Sequence, residues 1–320
     1  MSTQARRSSL NPPTILESFN EDISRANCTG EVRYTTSSPS GKTTRDCKPP
    51  WALLCHPPTE ANNYLNAAES TLEKFSDEDF QNRKLAADFS DYHLITEADL
   101  SNATQQQIIA PIRDILRKFW RGHFTMRLEP NPEEGGIKDS DTRYDMVFRA
   151  NDGKEIVVLE LKRRELIRYA DFIPMEVNKG PPHPSGLMEE GSCQEDVAKR
   201  IQELKKFAQE RGKTTHWRPN AAPFLKQVCK YANKGKCPYV ALFNWDHLLL
   251  FEFERGTLDG KVKDEEVATA GDTAKLTWVS EAFVDSRNFF IRRAKFRKAL
   301  LGFMMVAFQD KFGPIPTGNQ

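Results

Sequence analysis

The stretch "TRYDMVFRANDGKEIVVLELKRRELIRY" (142–169) sets two acids and a lysine among strand-forming residues. Asp145 opens the run Met146-Val147-Phe148, and Glu160 and Lys162 close the run Ile156-Val157-Val158-Leu159. Charges in an apolar strand are costly unless they are paired, hydrogen-bonded or bound to something. Asp152-Gly153 is a strong hairpin signal, because a two-residue type I′ turn needs positive φ at both central positions. With that pair as the turn centre, Arg149 faces Ile156, Val147 faces Val158 and Asp145 faces Glu160. Directly opposed Cβ atoms lie about 4.5–5.5 Å apart. Lys162, two residues beyond Glu160, projects from the same face.

Two opposed acids repel unless positive charge sits between them. Lys162 supplies part of that charge, and hard carboxylate oxygens suit Mg²⁺ or Mn²⁺ for the rest. A metal-bound water beside a lysine is an apparatus for hydrolysing a phosphodiester: the metal makes hydroxide available near neutral pH, and the ammonium orients the water or stabilises developing charge. The competing reading is a solvated amphipathic hairpin whose acids pair with Arg143 or Arg163.

The elements that must position these residues follow from periodicity. Residues 102–119 carry Ile108, Ile112, Ile115 and Phe119 on one helical stripe, with Pro111 kinking the helix or marking its early turns. Strands are expected at 123–129, 143–150 and 155–163, then a Pro- and Gly-rich passage at 172–192. A charged amphipathic helix (194–211), a second helix (221–233), two strands in "PYVALFNW" and "HLLLFEFE", and a long helix at 287–311 with basic outer faces complete the order. The pattern is α/β, a central mixed sheet flanked by helices. Its expected organisation is a flexible leader (1–60), a helical extension (61–100), a core (101–255) with an insertion at 164–215, and a C-terminal extension (256–320).

Composition sets the frame. The chain has 320 residues, 38% hydrophobic and 28% charged, enough for a sizeable core, and a net charge of +1. Only local clustering, not overall balance, can therefore point to a polyanion. Residues 1–13 lack a signal peptide's apolar segment and no run is long enough to span a membrane, so an intracellular protein, nuclear or cytoplasmic and not secreted, is expected. Cys28, Cys47, Cys55 and His56 match no compact zinc-finger spacing and read as ordinary free thiols and a histidine. No Gly-rich phosphate loop and no recognisable Ser/His/Asp context appear, so kinase, NTPase and triad-hydrolase readings have no support.

Asp145, then Glu160-x-Lys162 on the next strand, resemble the signature of the PD-(D/E)XK nuclease superfamily, the restriction-endonuclease-like fold. Gln227-Val-Cys-Lys-Tyr231 on the helix at 221–233 is similar to the QxxxY motif of its RecB-like branch, and an i, i+4 pair shares one helix face. "VVLELKRR" and "PYVALFNWDHLLLFEFE" are also similar to the nuclease domain of type I restriction motor subunits. The resemblance spans about 150 residues, its core running from 102 to about 244. It implies a Mg²⁺- or Mn²⁺-dependent nuclease acting on DNA in preference to RNA. Asp145 and Glu160 would hold the metal, Lys162 would act at the water or scissile phosphate, and Gln227 and Tyr231 would position the lysine or the backbone. Two departures stand out. Tyr144 replaces the proline, and Gln105, Gln106 and Gln107 stand where many members carry a helix acid; Glu97 and Asp99 precede them and Asp114 follows.

Basic residues cluster at Arg117, Lys118, Arg121 and Arg127, at Arg163, Arg164 and Arg168, along the helix at 194–211, and at Arg292, Arg293, Lys295, Arg297 and Lys298. Lys118, Arg121, Arg163 and Arg164 are the candidate phosphate contacts, and Trp120, His216 and Trp217 the candidate stacking groups. The bland alternative for each cluster is a solvated helix face. The alternative for the whole chain is a catalytically silent nuclease-like module that binds nucleic acid or a protein.

Overall fold

The computed structural model describes residues 13–21, 23, 47–56, 62–75, 80, 82–85, 94, 96–128, 145–172, 185–218, 220–258, 268–269, 271–280, 290–292 and 295–315. Their elements, in chain order, are α1 (Ile15–Ser18), β1 (Cys47–Lys48), β2 (Ala52–Cys55), α2 (Asn63–Glu73), α3 (Glu97–Thr104), a π segment (Gln105–Ile109), α4 (Ala110–Trp120), β3 (Phe124–Leu128), β4 (Met146–Ala150), β5 (Glu155–Leu161), β6 (Leu187–Glu189), α5 (Gln194–Glu210), α6 (Ala221–Gly235), β7 (Tyr239–Phe243), β8 (His247–Glu252), α7 (Arg255–Leu258), β9 (Ala268–Thr269), β10 (Thr273–Ser280), β11 (Phe290–Arg292) and α8 (Phe296–Phe312). Arg293, part of the expected basic cluster, and most of the Pro- and Gly-rich passage lie outside the described residues, as do Cys28 and Arg143.

The protein is α/β, with a mixed central sheet flanked by helices. Strand order is β3-β4-β5-β7-β8-β10-β2-β6, with β11 on β10. The first three strands are antiparallel, and β7 joins β5 in parallel after the crossover through α6. Each face buries one apolar layer. Met146, Phe148, Val157 and Leu159 point to the side of α2, α4 and α8, while Val147 and Val158 point with Phe224, Leu225 and Val228 to the side of α6. From Phe296 to Phe308 every residue of α8 but Val306 is buried, Gly302 lying so close to the Tyr64 carbonyl that a Cβ there would be 1.6 Å from it. A helix apolar on all sides belongs inside a protein.

Four expectations change. The span taken as a leader contributes to the core: Ile15 and Phe19 are buried, and Ala52–Cys55 pairs with both β10 and β6 inside the sheet. Isolated apolar residues in a Ser/Thr/Pro-rich context carry no periodicity, so only their distant partners reveal them. The last helix does not present a basic outer face. Arg297 is 4% and Lys298 6% exposed. Pro111 has no N–H to give the Gln107 carbonyl; Arg297 Nε donates to that oxygen at 2.6 Å and its Nη1 to Ser18 O at 2.9 Å. The π segment just before Pro111 absorbs the same misfit, so the helix runs on from 97 to 120. Finally, the hairpin turn has three residues, not two. Ala150 N donates to Lys154 O and Gly153 N to Ala150 O, with Gly153 at φ +82°, a type I turn closed by a left-handed glycine.

Candidate active site

That longer turn shifts the pairing by one, so Arg149 opposes Glu155 and not Ile156. A bulge between Phe148 and Arg149 shifts it back, and Phe148, Val147 and Met146 oppose Val157, Val158 and Leu159. Continued one residue further, the ladder sets Asp145 against Glu160. Two offsets cancel, and the acids meet in the expected register. The bulge also explains why Ile156 and Val157, neighbours in sequence, both join the α8 layer.

Asp145 and Glu160 therefore leave the sheet on the side of α6. Gln227 and Tyr231 sit four residues apart on that helix and face them. Glu160 is 4% exposed. Its Oε1 accepts from Gln227 Nε2 at 2.6 Å and from Lys162 Nζ, and its Oε2 accepts from the Tyr231 hydroxyl at 2.8 Å. Gln227 Nε2 also reaches the Tyr231 oxygen. Asp145 Oδ2 accepts from the Leu161 backbone N–H at 2.6 Å, which fixes its carboxylate beside the strand that carries Glu160. Lys162 donates its own backbone N–H to Phe243 O at 2.8 Å, so the lysine is anchored to the end of β7. The five residues singled out in the sequence form one contiguous polar group at the carboxyl ends of β5 and β7.

The electrostatics follow from burial. Burial first, and the Glu160 charge second, push the Asp145 carboxyl up to about 7. The Leu161 N–H and Lys162 pull it back only in part. For Lys162, burial disfavours the ammonium, but contact with Glu160, reinforced by Asp145 and Glu97, carries it above the usual lysine value. Burial and Glu160 likewise hold the Tyr231 phenol well above its ordinary range, so it remains a donor. The donor set suits one hard divalent cation. Asp145 Oδ1 has no hydrogen-bond partner among the described residues, Glu160 Oε2 has one, and Mg²⁺ commonly takes one or two carboxylates and keeps its waters. Among the described residues no group of three or more His, Cys, Asp or Glu side chains is placed to hold a metal.

Glu97 is the residue that the sequence reading left unassigned. It stands exposed at the N-terminus of α3, and its charge acts on both Asp145 and Lys162. Its signal lay in the Thr96–Asp99 capping box, which marks the helix start. With that start, the acid is at the near end of the first helix and not in its middle.

The basic candidates divide. Arg163 is exposed immediately after Lys162. Arg164 is instead a two-pronged partner of Asp246, Nε to Oδ2 at 2.8 Å and Nη2 to Oδ1 at 2.7 Å, and ties the segment after β5 to the β7–β8 turn. Asn244, fully buried, completes that tie by donating to Arg164 O and accepting from His247 N at 2.8 Å. Lys118 and Arg121 are exposed but remote: the helix from Glu97 to Arg121 is roughly 36 Å long at 1.5 Å per residue. Trp120 and Trp217 are 3% and 6% exposed, packed in the core, and His216 lies against the ring of Trp217 and stacks on Trp51. They are packing groups at these positions, because an amphipathic ring gains most from burial when its N–H is satisfied, as that of Trp217 is by Pro50 O at 2.6 Å.

No protein-family model matches the chain, and neither the curated proteins nor the solved structures contain a match to it. No helix among the described residues is long and apolar enough to cross a membrane.

Proposed function

We propose that the protein is a metal-dependent nuclease of the PD-(D/E)XK type that hydrolyses phosphodiester bonds, in DNA before RNA. The observation that carries this reading is Glu160: a buried carboxylate held at once by Lys162, Gln227 and Tyr231, with Asp145 beside it on the same sheet face. The order of elements supports it too. A first helix, three antiparallel strands, a crossover helix and a fourth strand parallel to the third are the order expected of a restriction-endonuclease-like core.

In this reading Asp145 and Glu160 would hold one Mg²⁺ or Mn²⁺, which when bound would supply Lewis acidity and lower the pKa of a water. The chain's own residues do the rest. Tyr231 and Gln227 aim the Glu160 carboxylate, each supplying a donor in place of the water that burial removes. Lys162, kept protonated by the surrounding acids, offers its ammonium to the attacking water or to the charge growing on the phosphoryl oxygens. Arg163, exposed one residue on, would meet the adjoining backbone phosphate.

Thermal stability under divalent cation titration tests the metal site. Millimolar Mg²⁺ or Mn²⁺ should raise the melting temperature of the wild type and leave that of Asp145→Asn unmoved. Equal shifts in both proteins would remove Asp145 as a ligand.

A further inference from the structure

Between Glu210 and Asp246 the chain has no acid: residues 211–245 contain Arg211, Lys213, Arg218, Lys226, Lys230, Lys234 and Lys236 in a protein whose net charge is +1. Three of these, Lys226, Lys230 and Lys234, recur every four residues along α6, about 100° around the helix from Gln227 and Tyr231; Lys234 is exposed and Lys226 and Lys230 are half-buried. Like charges at that spacing oppose helix formation. The solvated helix α5 avoids the problem with Arg200–Glu203 and Lys206–Glu210 pairs at 3.3 and 4.0 Å. On α6 no ion pair engages the three lysines among the described residues. The helix dipole accounts for Lys234, in the last turn, but not for Lys226 or Lys230.

The stripe has two ends. Lys226 adjoins Gln227 at the site, and Lys234, about 12 Å along the helix axis at 1.5 Å per residue, opens into a cleft of about 370 Å³. Lys154, Lys234, Lys236, Arg255 and Lys311 line that cleft with a single acid, Glu155, while Asp152 and Asp310 pair with Lys311 and Arg255 at its rim. Glu155 is itself paired with Arg149 at 3.2 Å. The positive charge is thus arranged as a line along α6, from the turn that carries Gln227 to a hollow at its far end.

We infer that Lys226, Lys230 and Lys234 form a track that binds the phosphodiester backbone of the nucleic-acid strand, leading it between the acidic site and the Lys234–Lys236 cleft. The inference rests on the nuclease reading for its choice of polyanion. Its test does not depend on cleavage. Binding of short labelled single-stranded and duplex oligonucleotides is measured by fluorescence anisotropy in EDTA, across a salt series. The proteins are the wild type, Lys226→Gln/Lys230→Gln/Lys234→Gln, and a control of equal charge change on exposed residues elsewhere, Lys74→Gln/Lys199→Gln/Lys206→Gln. Loss of three phosphate contacts should flatten the slope of log K against log salt by about 2.1 on single strands and about 2.7 on duplex. The control should keep the wild-type slope. Equal slopes in all three proteins, or no binding by the wild type at low salt, overturns the track. Capture of polyglutamate in preference to nucleic acid by the same lysines overturns the choice of partner. If the wild type binds through these lysines yet cleaves nothing in Mg²⁺ or Mn²⁺, the track stands and the nuclease reading falls.

Discussion

Asp145→Asn should stabilise the metal-free protein, and the gain should depend on pH. Asp145 is half-buried beside Glu160, and its carboxyl is raised from the ordinary 3.8 to about 7. An acid whose pKa is higher in the folded state binds its proton more tightly there than in the unfolded chain. Ionisation therefore costs stability, beginning as pH rises past the unfolded value and complete above the folded one. At about 1.36 kcal/mol per pH unit, the interval from 3.8 to 7 gives an upper bound of about 4 kcal/mol. The side chain is only partly buried, so screening by water leaves roughly half, about 2 kcal/mol. The amide cannot ionise, yet its carbonyl oxygen can still accept from the Leu161 N–H. The variant should match the wild type near pH 4 and exceed it progressively up to about pH 7, with a plateau beyond. Denaturant unfolding in EDTA at several pH values measures this directly, and the plateau corresponds to a few degrees in melting temperature. A variant less stable than the wild type at pH 8, or an offset that does not change with pH, would refute the burial argument.

Other perturbations separate the parts of the site and frame. Glu160→Ala should lose several kcal/mol, about 3–5 by the usual cost of orphaning a buried charge partner, because Lys162, Gln227 and Tyr231 all bond to that carboxylate; unfolding curves check it. Tyr231→Phe removes one donor from a buried carboxylate and should cost about 1.5–3 kcal/mol in the same assay. Arg297→Met strips the Gln107 carbonyl of its donor, at about 1–3 kcal/mol for a buried group left unsatisfied, while Ser18 O keeps the Glu21 N–H; hydrogen exchange should show the α3–α4 junction opening first. Gly153→Ala meets no neighbouring atom and should cost only the left-handed backbone penalty, about 1–2 kcal/mol, whereas Gly302→Ala would drive a Cβ into the Tyr64 carbonyl and should be the more damaging of the two by thermal melts.

The acids, the lysine and the Gln/Tyr pair were legible because their placement depends on local periods: two residues per repeat in a strand, four along a helix face. Their register was legible in outcome but not in route, since a bulge and a longer turn offset one another and neither has a simple signature in "FRANDGKEI". What failed were properties set by distant partners. Arg164 and Arg297 look like surface cations in the sequence, and only the fold supplies Asp246 for one and the carbonyl freed by Pro111 for the other. The strands β2 and β6 are too short to show alternation and are defined by pairing with each other across about 130 residues. The strand β10 was within reach: Ala274, Leu276 and Trp278 alternate, and the β-branched Thr277 and Val279 add to the signal.

The central claim, that Asp145, Glu160 and Lys162 form a working nuclease centre, is tested most directly by cleavage of circular, linear and single-stranded DNA, with RNA alongside. Wild type, Glu160→Gln and Lys162→Met would be compared in Mg²⁺, in Mn²⁺ and in EDTA. The wild type should cleave DNA with either metal and stop in EDTA, and both variants should be inactive even though Lys162→Met still binds the cation. Cleavage that persists in EDTA or in Glu160→Gln, or no cleavage of any substrate by a folded wild type that shifts its melting point with Mn²⁺, would contradict it.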